Sequence, residues 1–113
     1  MKTLTLPLKK KWFDMIKSGE KLAEYRECSE YWIKRFRKLC SCFEYFHAAP
    51  NNNVMQSCSG LKVDHLVFTL GYPKADDTER RLVFRNPKIR IGEGKPEWGA
   101  EYGKQYFVIT WEA

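Results

Sequence analysis

No window of this 113-residue sequence approaches the roughly 20 apolar residues that a membrane-crossing helix needs. The longest N-terminal apolar stretch, Leu4-Thr5-Leu6-Pro7-Leu8, is too short for a signal peptide and runs straight into Lys9-Lys10-Lys11. A cytoplasmic chain without a membrane partner is therefore expected. Cysteine is sparse (Cys28, Cys40, Cys42 and Cys58), and in that compartment these are expected to be thiols rather than disulfides. No internal repeat is present. The two familiar phosphate-binding glycine motifs are missing as well. Gly92-Glu93-Gly94 has no third glycine and no helix after it, and Lys95 precedes proline rather than serine or threonine. Acidic side chains are the minority, 14 against 20 lysines and arginines, which leaves a net charge of +6. Such an excess suits a polyanionic partner, and it also suits plain solvated lysines.

What the chain does contain is enough apolar and aromatic material, 43% and 15%, to exclude a disordered tail and to build one small domain spanning residues 1–113. Its organising stretch is Gly19-Glu20-Lys21-Leu22-Ala23-Glu24-Tyr25-Arg26. Upstream, Trp12, Met15 and Ile16 recur at helical spacing, and Gly19 supplies the backbone freedom of a helix stop. From Lys21 the period changes to that of a strand. Leu22, Glu24 and Arg26 are expected on one side, with Lys21, Ala23 and Tyr25 on the other. A carboxylate and a guanidinium on one face are either an ion pair or a polar site.

Around this stretch, Thr3 to Leu8 alternates as a first strand ending at Pro7. Lys9 to Lys11 place three cations at the start of the first helix, against its dipole, where they present a basic surface or are simply solvated. Ser29 is a good N-cap for a helix reaching Leu39, with Trp32, Ile33, Phe36 and Leu39 on its inner stripe and Lys34, Arg35, Arg37 and Lys38 elsewhere. Residues 40–60 read as an irregular loop insertion. Cys40, Cys42, His47 and Cys58 in it match no common zinc spacing, so neither a metal nor another cofactor is expected. The second half reads as β: His65 to Leu70, then Arg80 to Arg85, a bend at Asn86-Pro87, then Lys88 to Gly92, and finally Gln105 to Trp111, apolar on both faces. Trp98, in the turn-rich stretch from Gly92 to Ala100, is a candidate stacking platform for a base or an anchor to the core.

Lined up in this order, the elements resemble an ASCH domain of the PUA-like superfamily. The resemblance is carried by Trp12, Ile16, Gly19, Lys21, Glu24 and Arg26, as a helix followed by Gly-x-Lys-x-x-Glu-x-Arg, with Tyr106-Phe107-Val108-Ile109 fitting the last strand. Residues 92–100 resemble small phage or mobile-element members. The resemblance implies an α+β fold, a small mixed or antiparallel β-barrel with about two helices at its side. It also implies a cleft for RNA or a nucleotide between the first helix and the Lys21–Arg26 stretch. A related branch hydrolyses acetylated cytidine with a lysine, a threonine nucleophile and a distant glutamate. Lys21 matches the lysine, but Glu24 stands where the threonine would be, which removes the covalent route. Glu24 could still serve as a general base on water, with Lys21 or Arg26 at the oxyanion. Glu79, Glu93 and Glu97 are the candidates for the distant glutamate.

Three functions follow as expectations. The first is an RNA or modified-nucleotide binding module using Lys10, Lys11, Lys21, Glu24, Tyr25, Arg26, Trp32, Arg35 and Trp98. The second is an amidohydrolase of acylated cytidines using Lys21 and Glu24. The third is an element-encoded protein that binds a host protein through residues 40–60. The oligomeric state is left open.

Overall fold

A computed structural model describes residues 2–39, 46–48, 54–56 and 62–112. The expected α+β class holds. In chain order the elements are β1 (Thr3–Leu8), α1 (Lys10–Lys17), β2 (Glu24–Glu27), α2 (Glu30–Arg37), β3 (Phe46–Ala48), β4 (Val54–Gln56), β5 (His65–Leu70), β6 (Arg81–Glu93) and β7 (Gln105–Glu112). Five strands form a mixed sheet hydrogen-bonded in the order β1-β5-β6-β7-β2, and β3 pairs with β4 in a two-stranded ribbon. That antiparallel ribbon lies in the stretch read as irregular loop. The other residues of the stretch, Cys40, Cys42 and Cys58 among them, lie outside the described residues. Among the described residues no helix is long and apolar enough to cross a membrane. The chain divides into two compact units, one comprising Met1–Ala23, Val63–Pro87 and Thr110–Ala113, the other Glu24–Lys62 and Lys88–Ile109.

The first unit is built on the alternation of β1. Leu4, Leu6 and Leu8 face inward, and the parallel register sets them beside Leu66, Phe68 and Leu70 of β5. Burying each such side chain contributes about 2 kcal/mol. β1 runs through Pro7 to Leu8, one residue beyond the expected stop. Helix α1 has no side-chain cap at Lys9 and buries Phe13 and Ile16, while Trp12 and Met15 are only half-buried. It stops as expected: the Ser18 hydroxyl donates to the Met15 carbonyl at 3.1 Å, and Gly19 takes φ 84°. The Lys21 N–H then also reaches the Met15 carbonyl, at 3.0 Å. That turn delays the strand to Glu24 and corrects the expected alternation, since Lys21 and Ala23 are buried and so is Glu24, with Leu22 exposed.

The expected bend at Asn86-Pro87 does not break β6 in two. Asn86 takes φ 50°, its N–H donates to the Asp64 carbonyl at 3.2 Å, and its side-chain amide donates to Glu112 at 2.7 Å. Arg85 and Asn86 are exposed in succession and Pro87 is buried, so the strand alternation shifts by one residue there. Trp111 of β7 packs edge-on to Phe68 at 5.0 Å and against Phe84 at 5.3 Å.

In the second unit β2 pairs antiparallel with β7, Glu24 opposite Ile109 and Arg26 opposite Phe107. Tyr106 to Ile109 are buried in an unbroken run, as a strand apolar on both faces requires. Ser29 caps α2, its hydroxyl accepting from the Trp32 N–H at 3.5 Å. The helix buries Ile33 and Phe36, and the Phe36 ring meets Phe107 edge-on at 5.0 Å.

Candidate nucleic-acid interface

Glu24 and Arg26 are two residues apart on β2 and therefore share a face. The guanidinium Nη1 of Arg26 donates to Glu24 Oε2 at 2.8 Å. The carboxylate is almost inaccessible, and Arg26 retains 17% of its side-chain surface. Of the two outcomes left open by the sequence, the ion pair is present, and it leaves one face of the guanidinium for other partners. Helix α2 begins three residues after β2 ends, which brings Trp32 within reach. The Arg26 Cζ lies 5.2 Å from the centroid of the Trp32 ring, within cation–π range.

Arg35, one helical turn on, lies at the same distance from Trp32. Its Nη1 donates to the Tyr31 hydroxyl at 3.2 Å. The Trp32 ring itself is stacked on Phe36 at 5.2 Å with a 27° tilt, so it is seated on the core. Glu24, Arg26, Trp32 and Arg35 thus form one cluster of two guanidiniums, one indole and one carboxylate. The motif spacing contained the Glu24–Arg26 half of it. The Trp32 half depends on how β2 and α2 are connected, which no local pattern states.

Tyr25 and Trp98 meet a different fate in the same unit. The Tyr25 hydroxyl accepts a hydrogen bond from the Lys95 N–H at 3.0 Å, and its ring lies 5.8 Å from that of Tyr106. Tyr25 therefore holds the 94–100 loop. Trp98 ends the short 3-10 turn Pro96–Trp98, half-buried, with the Lys95 ammonium 4.4 Å from its ring centroid. Nearby on the same strands, Lys104 bridges Glu27 at 3.0 Å. That hydrogen bond, foremost, raises the Lys104 pKa. Burial pushes the Cys28 thiol up, with Lys104 opposing it, so Cys28 is a poor nucleophile.

The lysine candidates fall in the first unit. Lys10 pairs with Asp14 on the exposed side of α1. Lys11 and Lys21 both lie against Trp12, their ammonium groups 4.7 and 4.3 Å from its centroid. Lys21 is 1% exposed, an unusual place for a lysine, and the aromatic contact compensates part of its desolvation. Glu79, Glu93 and Glu97, the candidates for a distant catalytic glutamate, are all exposed. Among the described residues no group of three histidine, cysteine or acidic side chains is placed to hold a metal. No protein-family model, curated protein or solved structure matches the chain.

Proposed function

We propose that this protein binds RNA or a modified nucleotide as a PUA-like domain of the ASCH kind, its sheet curling into a small barrel. The observation that carries the reading is the pair of guanidiniums against one indole, with the Arg26 guanidinium oriented by the almost inaccessible Glu24 carboxylate. A buried ion pair is no better for stability than an apolar pair of similar size, so stability alone does not account for it. A guanidinium held in one orientation is suited to phosphate or to a base edge. An indole flanked by arginines offers a stacking surface for an unpaired base, worth about 1–3 kcal/mol per base. The net charge of +6 adds a long-range attraction to a polyanion.

The test is fluorescence anisotropy of a short single-stranded RNA at low and moderate salt. Arg26→Lys keeps the charge beside Glu24 but loses the planar fork, and Arg35→Ala removes the outer guanidinium without disturbing the ion pair. Wild-type affinity is expected to fall with salt through counterion release. Each variant is expected to bind about tenfold more weakly, the ~1.4 kcal/mol typical of one good contact. Wild-type affinity in both variants would remove the cluster from the binding surface.

A further inference from the structure

The first unit contains a cleft of about 360 Å³ that the nucleotide reading does not use. Its floor and one wall come from the end of α1 and the turn after it: Ile16, Lys17, Ser18, Gly19, Lys21 and Leu22. The other wall comes from Leu82, Val83 and Phe84 of β6 with Trp111 of β7. Three features distinguish it from an incidental surface fold.

The first is chemical composition. Two lysines line the cleft and no carboxylate does. The second is the aromatic wall. Trp111 and Phe84 lie 5.3 Å apart with only a 31° tilt, and Phe68 packs edge-on behind Trp111 at 5.0 Å, which gives a supported, nearly planar apolar face. The third is the rim. Leu22 and Val83 are each 60% exposed, and they are the only exposed aliphatic members among the large hydrophobic residues described; both line this cleft. Exposed apolar side chains gathered beside a pocket are characteristic of a ligand site.

We infer that this cleft binds a small planar aromatic anion, its ring against Trp111 and Phe84 and its acid group toward Lys17 and Lys21. The volume lies at the lower end of the range for small-molecule sites, which suits one or two fused rings and not a larger cofactor. The apolar wall supplies contact area, and the lysines select the charge. A cation of the same shape gains the same contact area but meets two ammonium groups, and a neutral analogue lacks the attraction. The cleft belongs to the first unit and the Arg26 cluster to the second, so this inference and the nucleotide reading stand or fall separately.

The experiment is a titration of the full ¹⁵N-labelled chain with 2-naphthoate and, in parallel, with its neutral counterpart 2-naphthalenemethanol. Shifts confined to residues 16–22, 82–84 and the Trp111 indole are expected, with the carboxylate binding at least tenfold more tightly than the alcohol. Val83→Asp places a like charge on the exposed rim and is expected to weaken naphthoate at least tenfold. Leu22→Asp, in an exposed turn, does the same from the opposite side and covers the case in which the strand variant folds poorly. Shifts scattered over the surface, equal affinity for acid and alcohol, absence of saturation at millimolar concentration, or unchanged affinity in the folded rim variants would each overturn the inference.

Discussion

The hydroxyl of Tyr25 accepts a hydrogen bond from the backbone N–H of Lys95 at 3.0 Å, across 70 residues of sequence. A second tyrosine repeats the device at the other end of the same loop, where the Tyr106 hydroxyl accepts from the Glu101 N–H at 2.9 Å. The loop carrying Trp98 is thus tied at both ends by phenol oxygens on paired neighbouring strands, and this places Tyr25 in a holding role within the second unit. Tyr25→Phe removes one tie and leaves the ring. A loss of about 1 kcal/mol in urea unfolding is expected, the usual worth of one such bond. Hydrogen exchange should rise at the Lys95 amide more than at Val108.

Gly94 and Gly19 respond to alanine for different reasons. A Cβ at Gly94 would stand 2.6 Å from the Ala100 Cβ and 2.7 Å from Tyr25 Cζ, so rigid neighbours must move. A destabilisation of about 1–3 kcal/mol is expected from that overpacking. At Gly19 the space is open and only the left-handed backbone, φ 84°, resists, at about 1–2 kcal/mol. Asparagine separates the two, because it tolerates the left-handed region. Gly19→Asn should recover part of the stability lost in Gly19→Ala, and Gly94→Asn should be worse than Gly94→Ala.

The Glu24–Arg26 pair makes an asymmetric prediction. Glu24→Ala strands a largely buried guanidinium and should cost about 3 kcal/mol or more in denaturant unfolding. The double change Glu24→Leu with Arg26→Met replaces both partners by apolar groups and should cost far less than Glu24→Ala alone. If the pair serves RNA, that double variant folds and loses RNA affinity. A double variant as unstable as Glu24→Ala would show that other partners of the two side chains matter more than their mutual contact.

Alkaline pH bears on Cys28. Burial holds its thiol pKa above the ordinary thiol value, so the folded state favours the protonated form. The associated stability is complete below the unfolded thiol pKa and is lost as pH rises through the folded one. Unfolding free energy should therefore decline on the alkaline side, and Cys28→Ser should flatten that decline. Mass-mapped alkylation at mildly alkaline pH should modify Cys28 more slowly in the native chain than in urea, since the thiolate is the reacting form. Equal rates would show that burial does not protect it.

Much of the fold is readable from local pattern. The alternation of Leu4, Leu6 and Leu8 marks β1, and the apolar run from Tyr106 to Ile109 marks a strand buried on both faces. Ser29 and Gly19 mark a helix start and a helix stop, and each does so in the structure. The spacing of Glu24 and Arg26 is enough to pair them, because side chains two apart on a strand share a face. These features depend on neighbours in sequence, and sequence periodicity reports such neighbours.

Tertiary structure decided what depends on distant partners. The strand after Gly19 begins at Glu24 rather than Lys21 because pairing with β7 starts opposite Ile109, and until then the Lys21 N–H is committed to the turn. β6 runs as one strand through Asn86-Pro87 because Asp64 and Glu112 hold Asn86 in a left-handed conformation. Trp32 meets Arg26, Tyr25 meets Lys95, and Phe84 meets Trp111 through contacts set by sheet register and helix packing. The sequence by itself determined the types of element and the residues able to do chemistry. Which of those residues stand together was decided by long-range pairing, whose partners lie tens of residues apart and leave no mark in any local window.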